Sequence, residues 1–179
     1  GTGWNYVEFD SLNENFSNRG KRQEDQINVL RELWKSPVID YQSAWHKIER
    51  AGLNPLPEKK IPIWLGGFKE VALKRAAAIG DGFIFGSGQK ENLAGWGSLK
   101  KHLKDANRDH SDFGVEALLN FQSGPERWRQ DIEAWIDVGA SHVSMRAMAL
   151  RGQGEGLKTP AEHIRVLETY LKEVCDLAG

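Results

Sequence analysis

The feature that most constrains the fold of this chain is a regular alternation of short apolar runs with stretches of helical periodicity. Each apolar run has the length of a buried strand, and the residues after it place their apolar side chains on one helical stripe. The predicted strands are residues 61–65, 83–85, 115–121 and 142–145. Repeated strand-then-helix units require parallel strands covered by helices, which predicts an α/β fold, either a doubly wound sheet or a (β/α) barrel.

Turn and capping residues mark the limits of the predicted helices. Gly80 and Gly139 end the helices that follow the first and third strands. Thr159, Pro160 and Glu162 form a capping-box pattern at the start of the last helix, because the threonine can cap the first turn and the glutamate lies three residues later.

The first 60 residues lack this alternation, although we treat residues 1–179 as one partial barrel domain. Residues 17–34 carry an amphipathic helical pattern. Residues 38–60 are predicted to form a hairpin and loop inserted before the next core strand. Residues 1–5 are typical of the end of a strand and the loop after it, which predicts that further chain precedes them.

Composition narrows the function classes. The 24 Lys and Arg nearly balance the 25 Asp and Glu, so the charge favours neither nucleic acid nor membrane as a partner. Cys175 is the single cysteine, which excludes an internal disulfide and a cysteine-rich metal site and is typical of a reducing cytosol. Because no apolar run approaches the roughly 20 residues that cross a bilayer, we predict a soluble cytoplasmic protein with a small-molecule ligand.

Glycine clusters follow two adjacent predicted strands, at the strand ends where parallel α/β folds bind ligands. Each cluster leads into a helix, whose free N–H groups and positive dipole end favour a phosphate. The predicted phosphate-binding residues are Gly66, Gly67, Phe68, Gly86, Ser87, Gly88 and Gln89. The alternative is that the glycines only permit tight turns. Neither cluster matches G-x-G-x-x-G or the Walker pattern.

Other candidate residues are more scattered. The five histidines show no metal-ligand spacing, so we predict no metal site. Ser87 does not lie in a G-x-S-x-G motif, which argues against a serine hydrolase. Arg146 follows the fourth strand and could reach a binding site or form a structural ion pair. Residues 152–156 could act as a lid or form a plain surface loop.

Trp4 and Asn5 are the remaining candidates. At a strand end they could line a flat apolar pocket for an aromatic ring system, or the tryptophan could simply pack beneath its loop. With Arg146, they form the predicted substrate pocket.

Five segments in this order carry a resemblance to a known family. They are residues 1–5 (Gly-Thr-Gly-Trp-Asn), 54–57 (Asn-Pro-Leu-Pro), 61–67 (Ile-Pro-Ile-Trp-Leu-Gly-Gly), 76–83 (Ala-Ala-Ala-Ile-Gly-Asp-Gly-Phe) and 139–144 (Gly-Ala-Ser-His-Val-Ser). The chain resembles the luciferase-like monooxygenase superfamily, and within it the branch of F420-dependent oxidoreductases.

This resemblance implies a (β/α)₈ barrel that holds reduced F420 or FMN and transfers hydride to an organic substrate or, with FMN, activates oxygen. It also implies that the cofactor phosphate lies near Gly66-Gly67 and the loop from Gly86 to Gln89. Relatives that oxidise a sugar phosphate have an acidic residue after Gly-Thr-Gly, where this chain has Trp4, so we predict a different substrate.

Length is the main departure from the family. A (β/α)₈ barrel takes about 250 residues, so the chain is predicted to cover roughly strands 5 to 8 and to lack the N-terminal units. Open sheet edges then predict a homo-oligomer or pairing with the missing half. Two other functions stay open: a non-catalytic phosphate-binding or assembly module, and a phosphate-binding α/β enzyme unrelated to flavins.

Overall fold

The computed structural model describes residues 1–149 and 154–177. It divides into two compact units, Gly1–Pro62 and Ile63–Gly179. Within the described residues, none of the helices combines the length and apolar character that a membrane crossing requires.

The first unit is helical with one hairpin. Helix α1 spans Tyr6–Ser11, a short 3₁₀ turn covers Phe16–Asn18, and α2 spans Arg19–Lys35. Strands β1 (Ile39–Gln42) and β2 (Lys47–Ala51) pair antiparallel. The predicted amphipathic helix and the predicted hairpin are therefore both present.

The strand end predicted at residues 1–5 is wrong, because the structure has no strand there. Instead, Asn5 caps α1: its Oδ1 accepts a hydrogen bond from the Val7 N–H at 3.3 Å. An asparagine that satisfies a free N–H of the first turn stabilises a helix start. This cap explains a helix that the apolar pattern did not predict.

A polar cluster joins the hairpin to α2. The Asp25 carboxylate accepts hydrogen bonds from the Tyr41 hydroxyl and the Ser43 hydroxyl, both at 2.7 Å, and lies 2.5 Å from His46 Nδ1. Burial opposes the charge on Asp25, but these donors outweigh it and hold the pKa of Asp25 below its usual value. The hydrogen bond from the Tyr41 hydroxyl to Asp25 raises the pKa of Tyr41 to about 12. One carboxylate thus fixes three hairpin side chains.

The second unit contains the predicted β/α units. Its elements are β3 (Trp64–Gly66), α3 (Glu70–Ile79), β4 (Gly82–Phe85), α4 (Gln89–Asp105), β5 (Gly114–Asn120), α5 (Pro125–Asp137), β6 (His142–Arg146) and α6 (Pro160–Val174). The strands form one parallel sheet in the order β3-β4-β5-β6. The prediction of four strands, each followed by a helix, is confirmed.

All four strands differ from the predicted limits by one to three residues, and the differences at β3 and β6 have a structural reason or consequence. Strand β3 begins only at Trp64, since Pro62 has no N–H to donate and Ile63 bonds instead to Asp81, through its N–H and its carbonyl. Strand β6 extends to Arg146, which was predicted to follow the strand. Arg146 therefore stands on the sheet itself.

The two faces of the sheet differ in polarity. We call the face covered by helices the outer face; its buried side chains are Leu65, Phe83, Phe85, Val115, Ala117 and Leu119. The opposite, inner face carries alternate residues such as Ile84, Glu116, Leu118 and Ser144, which are only half-buried. Glu116 accepts a hydrogen bond from the Ser144 hydroxyl across β5 and β6. Period-two alternation therefore separates an apolar outer face from a partly polar inner face.

The indole of Trp64 lies across the inner face at the amino-terminal end of the sheet. Gly82 and Gly114 stand beside Trp64 in register. A Cβ atom at Gly82 would lie 2.4 Å from Trp64 Cδ2, and one at Gly114 would lie 2.1 Å from Trp64 Cζ2. The ring then meets His142 of β6 edge to face, with centroids 5.1 Å apart. Glycines are required on β4 and β5 because the ring occupies the space of their side chains.

Helices α5 and α6 pack together beside β5. Trp128 and Ile132 of α5 bury against Leu119 and Val174. Arg129 forms a two-pronged ion pair with Asp176, with both N–O distances at 2.8 Å. The predicted capping box of α6 is confirmed: Thr159 and Glu162 each bond to the other's backbone N–H.

Substitution of Gly114 tests the placement of Trp64. We expect Gly114→Ala to lower the free energy of unfolding by about 1–3 kcal/mol, because its Cβ would overlap the indole ring. Denaturant unfolding of the chain measures this loss.

Gly97→Ala is the matched control, since a Cβ at Gly97 meets no atom within 4 Å and the residue lies inside α4. Alanine there should stabilise the helix by about 0.5–1 kcal/mol. Equal stability of the two variants would contradict the described contact.

Candidate functional site

A cavity of about 380 Å³ opens at the carboxyl ends of β4, β5 and β6. Its lining residues are Ser87, Gly88, Gln89, Asn92, Leu118, Leu119, Asn120, Gln122, Ser123, Asp131 and Arg146. Parallel strands bring their carboxyl ends to one edge of a sheet, where the following loops enclose a concave surface. The cavity therefore lies where α/β folds of this kind bind small molecules.

The wall formed by the β4–α4 loop is held by a buried amide. Asn92 Oδ1 accepts the Ser87 N–H at 3.0 Å, and Asn92 Nδ2 donates to the Ser87 carbonyl at 2.9 Å. Asn92 is only 4% exposed. The Ser87 N–H is thus already used within the loop, which leaves the serine hydroxyl and the first-turn N–H groups of α4 as the donors of this wall.

Gln89 has a structural role in addition to its place in the wall. Its Oε1 accepts a hydrogen bond from the Trp135 indole N–H at 2.7 Å, and its Nε2 donates to the Asp131 carbonyl at 3.2 Å. Trp135 is fully buried. Both ends of the Gln89 amide therefore connect α4 to α5, while the residue also lines the cavity.

Arg146 carries the positive charge of the cavity. One guanidinium nitrogen, Nη2, donates to the Gly86 carbonyl at 3.1 Å. The Nε atom is buried and has no hydrogen-bond partner within the described residues. A buried donor without an acceptor costs about 1–3 kcal/mol. The residue also lines the cavity, where its charged guanidinium suits a ligand that carries an anionic oxygen.

The glycines beside Arg146 differ in what they allow. A Cβ at Gly86 would stand at ordinary contact distances, 3.7–3.9 Å, from Leu118, Arg146 and Phe68. Packing does not require glycine there, and a longer side chain would project beside the guanidinium. Gly67, by contrast, has a φ of +152° and a Cβ there would lie 2.7 Å from Ala72 Cβ. At Gly67 the local turn is sufficient reason for glycine.

Asp131 is the carboxyl group of the cavity wall. Burial raises the pKa of Asp131, against the opposing effect of Arg127, whose Nε lies 2.9 Å from Asp131 Oδ1. The arginine partly neutralises this carboxylate, so the wall near Arg146 is not left with a strong negative charge.

The structure brings together only some of the predicted site residues. Ser87, Gly88, Gln89 and Arg146 line the cavity, and Gly86 bonds to Arg146. Gly66, Gly67 and Phe68 are not in its lining, although Phe68 approaches Gly86.

The remaining predicted residues lie elsewhere. Trp4 and Asn5 belong to the first unit, where Trp4 is 83% exposed and Asn5 caps α1. Part of the predicted lid, Gly152 and Gln153, lies outside the described residues.

Sequence reasoning missed Asn92, Gln122 and Asp131. Asn92 had a usable signal, since it stands one residue before Leu93 of the predicted helix and close to the loop. Gln122 lies in the turn directly after β5, so its place at a strand end was also a usable signal. Asp131 reaches the cavity through the packing of α5 on the sheet, which no local pattern reports.

The link between α4 and α5 can be tested through Gln89. We expect Gln89→Leu to lower the free energy of unfolding by about 1–3 kcal/mol, because the buried Trp135 N–H loses its acceptor. Gln89→Glu keeps that acceptor and should lose less. Chemical denaturation measures both, with the exposed neighbour Lys90→Ala as a control that stays within about 0.5 kcal/mol. A fully stable Gln89→Leu would show that the amide does not join the helices.

Comparison with known proteins identifies relatives in sequence. A profile of the luciferase-like monooxygenase family matches residues 1–172. The chain is similar to an F420-dependent glucose-6-phosphate dehydrogenase of Mycolicibacterium smegmatis, with 27% identity over 128 residues that cover 69% of this chain and 38% of the relative. A second such dehydrogenase, from Nakamurella multipartita, is 26% identical over 156 residues, covering 84% of this chain and 43% of the relative. The chain thus spans about two-fifths of these relatives.

Solved structures share the fold at low identity. An F420-dependent secondary alcohol dehydrogenase in complex with an F420-acetone adduct superposes with a TM-score of 0.65 at 14% identity, covering 87% of this chain and 62% of that one. A monooxygenase from Streptomyces bottropensis superposes with a TM-score of 0.70 at 11% identity, covering 98% of this chain and 66% of that one. The fold is of the (β/α)₈-barrel type, of which this chain covers a part. With a family profile that extends over nearly its whole length, the chain belongs to the luciferase-like monooxygenase family.

Proposed function

We propose that this chain acts in a flavin- or deazaflavin-dependent oxidoreductase and that its cavity holds the phosphate group of reduced F420 or FMN. The observation that carries the proposal is the guanidinium of Arg146, which lines a cavity at the strand ends and whose buried Nε has no acceptor among the described residues. F420-dependent enzymes among the relatives support the choice of cofactor.

Three groups of donors would hold the phosphate. Arg146 supplies a charged guanidinium edge, and Ser87 supplies a hydroxyl. The first turn of α4, after Gly88, supplies backbone N–H groups and the positive end of the helix dipole. The combination suits a dianionic group with several oxygens better than a neutral one.

When bound, F420 or FMN supplies the redox chemistry, which is hydride transfer or, with FMN, oxygen activation. The residues of this chain bind and orient. Arg146 fixes the charged end of the ligand through a guanidinium that is itself held by the Gly86 carbonyl. Precise placement of a reactive ring is a large part of what a protein contributes to such reactions.

The substrate is proposed to be a small organic molecule other than a sugar phosphate. The matched relatives are named for glucose-6-phosphate, yet Trp4 stands where sugar-phosphate-oxidising relatives are expected to have an acidic residue. The exposed indole of Trp4 and the amide of Asn5 remain the proposed contacts to the substrate or ring.

Replacement of Arg146 tests the phosphate site. We expect Arg146→Met to weaken FMN or F420 binding by about 10- to 100-fold, the effect of losing a hydrogen bond to a charged group. Riboflavin, which lacks the phosphate, should bind both proteins equally. Fluorescence titration of the full chain measures all of these affinities.

The matched control is Arg108→Met, because Arg108 also donates to a backbone carbonyl, that of Ala77 at 2.7 Å, but does not line the cavity. It should leave FMN affinity unchanged. Tight binding of inorganic phosphate with no preference for FMN over riboflavin would favour the alternative, a non-catalytic phosphate-binding module.

We further propose that the chain associates through its sheet edges. Within the described residues, β3 and β6 each pair with a strand on one side only, and the inner face is only half-buried. Unpaired edges and partly apolar faces favour pairing with a second copy, or with strands like those of the other half of a barrel.

The association predicts a homo-oligomer in solution for the chain studied alone. Light scattering during size-exclusion chromatography should give the mass of a dimer or larger species at micromolar concentration. Dilution should shift the equilibrium toward monomer. A monomer at every concentration would contradict self-association.

A further inference from the structure

We infer that Asn92 is a positioning residue, whose amide sets the shape of the phosphate-binding wall without touching the ligand itself. The inference rests on the proposed function of the cavity. It concerns a side chain that neither the glycine pattern nor the similarity to known proteins singles out.

The starting observation is that Asn92 is a polar side chain in a place that favours an apolar one. Among the residues that the structure describes, it is the one polar residue that is buried. It shares the buried face of α4 with Trp96, Leu99 and Leu103. A leucine, with the same number of side-chain heavy atoms, would gain more from burial than an amide does, so packing alone does not account for asparagine at this position.

The amide of Asn92 makes two hydrogen bonds to a single loop residue. Within the described residues, its side-chain oxygen accepts from the Ser87 N–H and its side-chain nitrogen donates to the Ser87 carbonyl. Together they fix the peptide groups on both sides of Ser87. The loop is therefore held in one shape without a ligand, which lowers the entropy that would be lost on binding.

The same bonds determine which donors face the cavity. The Ser87 N–H is withdrawn because it points at Asn92. The carbonyl of the preceding residue, Gly86, is held where Nη2 of Arg146 reaches it at 3.1 Å. Asn92 thus positions the charged donor through Gly86 and keeps the start of α4 directed at the cavity.

Asn92→Leu tests this role. Leucine leaves the Ser87 N–H and carbonyl without their partner, so we expect a lower melting temperature, while the affinity for FMN falls about tenfold and that for riboflavin stays the same. Hydrogen exchange of the Ser87 amide, measured without ligand, should become much faster because its acceptor is gone.

Leu103→Ala is the matched control on the same helix. Leu103 is fully buried in α4 and does not line the cavity. The truncation should lower the melting temperature yet leave FMN affinity and Ser87 exchange near their original values. A loss of affinity in this variant equal to that in Asn92→Leu would overturn the inference.

Asn92→Asp adds a pH test that a purely structural role would not move. A protonated carboxyl can donate to the Ser87 carbonyl as the amide does, whereas an ionised one cannot. The ratio of the FMN dissociation constants of variant and unchanged chain should therefore approach one as pH falls through the carboxyl pKa and rise to about tenfold above it. Asp131 of α5 and Arg146 of β6 also face the cavity, but both are present in each protein, as is the titrating FMN phosphate.

The outcomes distinguish the two proposals. If the unchanged chain prefers FMN to riboflavin and Asn92→Leu keeps that preference, the positioning role is wrong and the phosphate site stands. A pH-independent ratio for Asn92→Asp would also overturn the role. If the unchanged chain shows no preference for FMN, both proposals fail.

Discussion

The packing of Trp64 over two glycines is the constraint on which the rest of the second unit depends. The ring extends from β3, occupies the side-chain space of Gly82 on β4 and Gly114 on β5, and contacts His142 on β6. It therefore meets the inner face of every strand in the sheet. A slip of one residue would turn every inner side chain outward. The register fixed at the amino-terminal end of the sheet also determines where β4, β5 and β6 end relative to one another at the carboxyl-terminal end.

The relative positions of these strand ends bring the residues of the cavity together. Asn120 and Arg146 are partners in the register of β5 and β6, and Gly86 follows the last residue of β4. Phe85, the last residue of β4, is level with Val143 of β6, so β6 continues three residues further to Arg146. The guanidinium of Arg146 reaches back from this longer strand to the Gly86 carbonyl. The geometry of the backbone therefore brings together the charged guanidinium, the β4–α4 loop and the start of α4. The side chains of Asn92 and Gln89 add hydrogen bonds that hold this arrangement in place.

The sequence predicted the features that depend on local pattern. Strand-helix alternation, the capping box at Thr159 and the glycines after β4 are all written in neighbouring residues. Features that depend on tertiary contact were missed or wrong. The Gln89 amide is polar and follows a glycine loop, which indicated a ligand contact, but its partners lie more than 40 positions away on α5.

Residues 1–5 show a local pattern that misled: they were predicted to end a strand, but Asn5 instead caps the helix α1 that follows. The difference between the Gly67 and Gly86 turns was also beyond the sequence. It depends on whether a neighbour such as Ala72 stands in the way.

The two faces of β5 have a consequence for how such chains diverge. Val115, Ala117 and Leu119 lie against helices and are nearly inaccessible, whereas Glu116, Leu118 and Asn120 alternate with them on the open side. Substitutions in the first set change the packing against the helices, whereas substitutions in the second set change the surface of the open face. Because the two sets alternate along one strand, the residues of the open face can change while those that pack the fold stay the same.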